Sequence, residues 1–334
     1  MSLKARIIGT GSYVPSQVLT NQDLEKLVDT TDEWIVTRTG MKERRIARKD
    51  EFTSDMGYEA SVSALKKAGV EADSIDLILV ATLTPDYVFP STACLLQSRL
   101  KASKAAAVDI QAACTGYIYC LAMAKSFVES GLYKTVLVVA AEKLSSIVNY
   151  KDRNTCVLFG DGASACVVSS DRTKVGLEIR DVSLGSDGDQ SQLLVLPAGG
   201  SRMPASQDTV SSDMHFLRME GKDVFKHAVR RMEASSKECI DKVGLTEKDL
   251  SWLVPHQANI RIIEAIAKRF EVPMERVFMT IEKYGNTSAS SLGIALDELL
   301  EQKEVTFGEN ILLTAFGAGL TWGSSILTKV KADE

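Results

Sequence analysis

"GVEADSIDLILV" occupies residues 69–80 and "GLTEKDLSWLVP" occupies residues 244–255. Laid over one another they match in kind: Gly69 on Gly244, Ile75 on Leu250, Leu79 on Val254. Each opens on a glycine, which suits a helix C-terminus, and closes on a short apolar run. The same offset, 69 to 244, lays "KTVLVVAA" (134–141) over "ENILLTAF" (309–316). It also lays Tyr117, Cys120, Leu121 and Ala124 over Leu292, Ala295, Leu296 and Leu299. Both sets have the spacing of a buried helical stripe. Segments that share one offset imply a duplicated unit, with halves at about 1–173 and 174–334.

Short apolar runs at 76–82, 105–110, 135–141, 250–255 and 310–316 alternate with helical patterns. Continuous runs of this length read as strands buried on both faces. Helices between them imply an α/β protein with largely parallel strands. Packing two such halves about a pseudo-twofold axis brings equivalent loops together. The offset pairs Cys114 with Ala289, inside "YGNTSASS" (284–291), and Ala81 with His256, inside "VPHQAN" (254–259). The loops carrying Cys114, His256 and Asn286 are therefore expected to converge.

The chain has 334 residues, 45% of them hydrophobic and 25% charged, enough to bury a large core. A net charge of −5 argues against a nucleic-acid binder. No apolar run approaches the ~20 residues of a membrane span. The start, "MSLKARIIGTGSYVP", has no apolar region of secretory length. The expectation is a cytoplasmic protein with no membrane partner. The cysteines at 94, 114, 120, 156, 166 and 239 form no C-x-x-C pair, so neither a zinc site nor a disulfide framework is expected.

Cys114, in "DIQAACTGY" (109–117), lies where an apolar run ends and a helical pattern begins. Free N–H groups at a helix start favour an anion and lower a thiol's pKa, and Gly116 allows a sharp elbow. A nucleophile fits this position, as does a packed core cysteine. Of the histidines, His215 reads as a surface residue and His227 as part of a helical pattern. His256 follows "WLV" and Pro255 at the C-terminal end of a strand, where open α/β sheets place ligands. Asn286, in "KYGNTSASSLG" (283–293), is a turn amide that could polarise a carbonyl without titrating.

"GTGSYV" (9–14) begins like a dinucleotide fingerprint, but ends in Val14 and meets Pro15, so a nicotinamide site is rejected. "FGDGASACVV" (159–168) and "FGAGLTWGSSIL" (316–327) are glycine turns without phosphate-loop spacing. The second could offer backbone N–H groups to an oxyanion.

Seven ordered motifs carry a family resemblance: "DEWIVTRTGMKERR" (32–45), "DIQAACTGY" (109–117), "RNTCVLFGDGASA" (153–165), "LPAGGSRMPAS" (196–206), "VPHQANIRI" (254–262), "YGNTSASS" (284–291) and "AFGAGLTWG" (315–323). Through them nearly the whole chain resembles the β-ketoacyl-[acyl-carrier-protein] synthase III family, initiating condensing enzymes of dissociated (type II) fatty acid synthesis. The resemblance implies the thiolase-like duplicated five-layer αβαβα fold. It also implies a Cys-His-Asn catalytic set at Cys114, His256 and Asn286. Elongating synthases use Cys-His-His, and thiolases carry a second cysteine near the C-terminal glycine motif. Here the Asn286 motif is intact and no cysteine follows Cys239, which disfavours both.

The implied reaction is ping-pong. Cys114 is acylated by a short acyl-CoA, and malonyl-acyl carrier protein then enters, loses CO2 and attacks the acyl group. The backbone N–H groups of Cys114 and Ala318 would hold the oxyanion, Ala318 standing where many relatives have glycine. Trp34, Arg38 and Arg153 would meet the CoA nucleotide. Gly221, Phe225, Ala258 and Asn259 would line its pantetheine tunnel. Gln257, Ala258, Asn259, Ile260, Arg261, Lys226 and Lys268 would meet an acidic carrier protein. Phe89 would cross a homodimer interface into the partner's acyl pocket. CoA thioesters and carrier protein are substrates in this reading, and no cofactor or metal is expected. The alternative is a related acyltransferase, or a condensing enzyme of secondary metabolism, using the same three residues. A catalytically silent acyl-CoA-binding protein would have lost one of the three, and all are present.

Overall fold

The computed structural model describes residues 3–333. In chain order its main elements are β1 (Arg6–Tyr13), α1 (Asp32–Thr39), α2 (Thr53–Ala68), β2 (Leu77–Ala81), α3 (Thr92–Leu100), β3 (Ala106–Ile110), α4 (Gly116–Glu129), β4 (Thr135–Glu142), β5 (Gly162–Ser169), β6 (Gly176–Ser186), α5 (Gly221–Lys242), β7 (Leu250–Pro255), α6 (Ile260–Arg269), α7 (Ser290–Gln302), β8 (Asn310–Gly317) and β9 (Thr321–Val330). The five apolar runs of the sequence are β2, β3, β4, β7 and β8. Gly69 ends α2 at φ +59°, and Gly244 follows α5 at φ +71°, the left-handed helix stop expected of both.

The strands are hydrogen-bonded in the order β7-β8-β9-β6-β1-β5-β4-β2-β3. β1 and β6 meet only at Arg6 with Glu178 and Ile7 with Leu177, so the sheet is two leaves joined at a narrow seam. Outward from the seam the leaves run β1-β5-β4-β2-β3 and β6-β9-β8-β7. In each, the two ladders nearest the seam are antiparallel and the next is parallel. Where the first leaf adds β3, the second has a single parallel bridge from Leu253 to Val277.

The sheet is thus mixed, which corrects the expectation of largely parallel strands. Only the outer strands of each leaf are apolar runs. β1, β5, β6 and β9 are rich in glycine and serine and are joined into antiparallel ladders, as the short β8–β9 turn requires.

Three separate cores define the layers. α4 and α7 are buried with strands of both leaves, including the Tyr117 and Leu292 stripes. α2 and α3 cover the outside of the first leaf. α5 and α6 cover the outside of the second. Helix, sheet, helix, sheet, helix is the five-layer αβαβα sandwich. The rejected fingerprint glycines serve packing. A Cβ at Gly11 would lie 2.4 Å from the Ala60 carbonyl oxygen of α2, so β1 and α2 touch backbone to backbone. No helix among the described residues is long and apolar enough to cross a membrane.

One tight point of the middle layer is Gly116, at the start of α4. A Cβ there would lie 2.7 Å from the Ala81 Cβ and 3.4 Å from the Ala289 Cβ. Overpacking of this kind costs about 1–3 kcal/mol. Gly116→Val is expected to lower the urea unfolding free energy by at least that much. An unchanged unfolding midpoint would show that the two loops separate freely.

Candidate active site

β3 leads into the turn Ala113–Thr115, and Cys114 sits directly before α4. Ala113 takes φ +45°, a left-handed conformation that turns the chain sharply into the helix. β7 ends at Pro255 and delivers His256. Asn286 is fastened to the 158–160 loop: its N–H donates to the Leu158 carbonyl at 2.9 Å, and its carbonyl accepts from Gly160 N–H at 3.0 Å. Cys114, His256 and Asn286 are 7%, 3% and 6% exposed and line one cavity of about 930 Å³. That is the upper range for a small-molecule site. The three loops converge as expected.

Each polar group has a partner that fixes its orientation. His256 Nδ1 lies 2.7 Å from Ser291 Oγ. The Ser291 oxygen also accepts from Gln257 N–H at 3.4 Å, and its hydroxyl hydrogen can donate to Nδ1 in the tautomer that carries the imidazole proton on Nε2. Burial pulls the His256 pKa from 6.5 to about 4, so the ring is neutral at pH 7. Asn286 Oδ1 accepts from Ser288 N–H at 2.8 Å, so its NH2 is the free end of the amide. Ser288 Oγ donates to Cys114 Sγ at 3.5 Å. The thiol departs from expectation. Burial, aided by the nearby Glu142 charge, pushes it up to about 12, against the direction a helix start favours. Gly317 packs its backbone on Cys114, and a Cβ there would lie 2.8 Å from the Cys114 nitrogen.

Toward the mouth the cavity is lined by Trp34, Arg38, Gly221, Phe225, Lys226, Ala258, Asn259 and Arg261. The Trp34 ring has the Arg38 guanidinium 4.8 Å from its centroid and the Arg153 guanidinium 4.5 Å from it. Arg153 therefore joins the mouth through Trp34, with its neighbour Asn154 on the wall. Lys268 is exposed one helical face along α6.

Several expected contacts lie elsewhere. Gln257 is fully buried: its Nε2 donates to the Pro255 carbonyl, and its Oε1 accepts from Thr280 N–H and Ile281 N–H. It braces the His256 loop and offers nothing to a surface partner, which corrects its expected place in the carrier-protein patch. Ile260 is half-buried, its Cβ close to Gly40 at the end of α1. Gly317 rather than Ala318 is on the cavity wall. Phe89 is 84% exposed and outside the cavity. Ser288, Ser291 and Glu142 were not singled out from sequence. The two serines lie inside the quoted "NTSASS" run, but nothing in that run tells a partner hydroxyl from a packed one.

A duplicated five-layer sandwich with a cysteine, a histidine and an amide at its centre defines a thiolase-like condensing-enzyme fold. The 3-oxoacyl-[acyl-carrier-protein (ACP)] synthase III family matches residues 108–188, and its C-terminal part matches residues 240–329. A protein of Chlamydia trachomatis named beta-ketoacyl-[acyl-carrier-protein] synthase III is 60% identical over 98% of this chain and 100% of its own. One of the same name from Caldanaerobacter subterraneus is 54% identical over 97% and 98%. The solved 3-oxoacyl-[acyl-carrier-protein] synthase III of Aquifex aeolicus superposes with a TM-score of 0.88 at 48% identity, covering 97% of this chain and 99% of its own. The chain belongs to the 3-oxoacyl-[acyl-carrier-protein] synthase III family.

The buried histidine links folding to pH. Between pH 6.5 and about 4 the unfolded chain protonates His256 while the folded chain holds it neutral. Stability from this residue is therefore lost as pH falls through that interval, by up to ~1.4 kcal/mol per pH unit. Comparing urea melts of the wild type and His256→Gln isolates the effect. The variant should gain on the wild type between pH 7 and pH 5, and a constant gap would contradict the neutral, buried imidazole.

Proposed function

We propose that this chain is an initiating condensing enzyme of type II fatty acid synthesis, with Cys114, His256 and Asn286 as its catalytic residues. Their convergence in one buried cavity, inside a family whose members carry that name, supports the reading. Cys114 attacks the thioester carbonyl of a short acyl-CoA such as acetyl-CoA. The carbon–sulfur bond to CoA breaks, the thiol proton goes to the leaving CoA thiolate, and an acyl-cysteine remains. Malonyl-acyl carrier protein then enters. Loss of CO2 leaves an enolate whose oxygen accepts from the His256 Nε2–H and the Asn286 NH2. The enolate carbon attacks the acyl group, Cys114 leaves as thiolate and regains a proton, and 3-oxoacyl-acyl carrier protein departs. A neutral imidazole and a neutral amide suit the enolate step, because both donate without taking the charge themselves. Backbone N–H groups of Cys114 and Ala318 are the proposed donors to the tetrahedral oxyanion. Atoms and electrons balance from the two thioesters alone, so the reading includes no resident cofactor.

The mouth supplies binding. Trp34, Arg38 and Arg153 offer a stacking face and two guanidinium charges to the adenine nucleotide of CoA. Gly221, Phe225, Ala258 and Asn259 line the way in for pantetheine. Lys226, Arg261 and Lys268 are exposed cations near the mouth for an acidic carrier protein. We infer a cytoplasmic homodimer. The cysteines are all free, as a reducing compartment favours. Tyr87, Val88 and Phe89 form a contiguous patch 60%, 91% and 84% exposed. β3 is a sheet edge with Val108 43% exposed. A second copy would cover both. The division at 173/174 is proposed with the fold, and the new leaf that starts at Gly176 supports it.

Incubation with acetyl-CoA and peptide mass spectrometry should find one acetyl group on Cys114, absent in Cys114→Ser. An adduct on another cysteine would overturn the assignment. His256→Ala should abolish condensation, read as CO2 release, while largely sparing acylation, and loss of both steps together would contradict the division of roles. Arg261→Glu should raise the KM for malonyl-acyl carrier protein several-fold and leave acylation by acyl-CoA unchanged. An unaltered KM removes Arg261 from the docking surface.

A further inference from the structure

Glu142, the last residue of β4, is a fully buried carboxyl that no step above uses. Its Oε2 accepts from Thr84 Oγ1 at 2.7 Å, Thr82 Oγ1 at 3.3 Å, Leu83 N–H at 3.1 Å and Thr84 N–H at 3.2 Å. Its Oε1 is sealed from solvent and completes no hydrogen bond among the described residues. The Ser288 hydroxyl stands beside this carboxylate and stabilises its charged form. Oε2 is already saturated, so Oε1 is the oxygen left to receive that hydroxyl.

The same hydroxyl donates to Cys114 Sγ at 3.5 Å. Ser288 is held in place by its left-handed φ of +52° and by its N–H bond to Asn286 Oδ1. A hydroxyl has one hydrogen to give. Carboxylate and thiol therefore compete for it, and a charge-assisted bond is roughly twice as strong as a neutral one.

We propose that Glu142 is a positioning residue for Cys114, acting through Ser288. The buried cluster carries a single negative charge, on Glu142 or on Cys114, and the shared hydroxyl donates to whichever bears it. This rests on the reading of Cys114 as the nucleophile. The proton balance closes within the cluster. The Cys114 S–H bond breaks as its proton passes to the Ser288 oxygen. The Ser288 hydrogen passes to Glu142 Oε1, the thiolate then accepts from the re-formed hydroxyl, and during acylation the proton returns by the same path to the leaving CoA thiolate. No co-reactant is needed.

The surroundings favour one charge over two. Burial pushes Glu142 up to about 7 and Cys114 up to about 12, with the Glu142 charge among the causes for the thiol. His256, on the same cavity wall, is neutral above pH 4. From the 286–291 loop the cluster faces hydroxyls and an amide, and from the end of β8 it faces Phe316 and the Gly317 backbone. The neighbouring cation, Lys143, donates instead to the Arg48 and Glu51 carbonyls. Among the described residues no ammonium therefore offsets a second negative charge.

Alkylation of Cys114 by iodoacetamide, followed across pH by peptide mass spectrometry, tests the proposal without either substrate. Glu142→Gln keeps an oxygen for the Thr82 and Thr84 donors but removes the charge. It should lower the pH of the inflection and raise the rate at pH 8 about tenfold, a shift of one pH unit. Glu142→Asp keeps the charge and should stay near the wild-type profile. Ser288→Ala loses the shared donor and should shift the inflection upward. An unmoved or raised inflection in folded Glu142→Gln overturns the proposal. If that variant does not fold, an unmoved inflection in Ser288→Ala overturns it. Failure here with acyl-Cys114 still formed from acetyl-CoA leaves the condensing reading intact. The predicted shifts without any acyl-Cys114 would instead sink that reading alone.

Discussion

Everything central in this molecule turns on the absence of a side chain at Gly116. The first turn of α4 lies against Ala81 of β2 and Ala289 ahead of α7, with no volume between them. Two helix starts from distant parts of the chain are thereby held in contact, one led by Cys114 and the other by Asn286. The neighbouring glycines repeat the constraint. A Cβ at Gly317 would strike the Cys114 backbone, and one at Gly293 would lie 2.2 Å from Ser164 Oγ. Packing of the middle layer and geometry of the site are one property. A methyl group added here strains the core and moves a site residue together.

The convergence also buries the site residues, and burial sets their chemistry. Desolvation disfavours every charge, so the imidazole is neutral, the thiol is protonated and the Glu142 carboxyl is drawn toward neutrality. Polar groups survive there because each is tied to another: His256 to Ser291, Asn286 to Ser288, Gln257 to Thr280 and Ile281. A group with one atom bound has its other atom aimed. Orientation is thus settled before any ligand arrives, which is where preorganised donors gain their advantage over water.

The sequence showed what hydrophobic pattern can carry. Apolar runs marked the five outer strands, and the shared offset paired the Tyr117 and Leu292 stripes that build the middle core. It also brought the Cys114, His256 and Asn286 loops together, because equivalent loops meet wherever equivalent helices pack. It hid what depends on side-chain direction. β1, β5, β6 and β9 lack apolar runs, so the antiparallel half of each leaf left no pattern. Gln257 sits between buried His256 and half-buried Ala258 and Asn259, and only the fold shows its amide turned inward. Glu142 ends an apolar strand and reads as the first residue of a loop. Its burial follows from the Thr82–Thr84 segment folding over it, a contact between residues some sixty apart. The thiol's direction of shift was missed for a related reason. A helix start can be read from sequence, but the depth at which it is buried cannot.

Polarity along the cavity is graded, and the grading separates binding from chemistry. At the mouth, Trp34 stands between half-exposed guanidinium groups of Arg38 and Arg153. Charge there remains solvated and costs little stability, and in the proposed reading it attracts an anionic ligand. Beside them on the cavity wall lie Gly221 and Ala258, which are small, and the apolar Phe225. Around Cys114, His256 and Asn286 the hydrogen-bonding partners among the described residues include no ammonium or guanidinium, and a developing negative charge meets N–H and O–H donors. An ammonium or guanidinium at that depth would trap an enolate or a thiolate as a stable ion pair. Neutral donors stabilise each charge while it forms and release it when the next bond is made. In the proposed reading one cavity hosts two successive anions, and neutral donors let both form and leave.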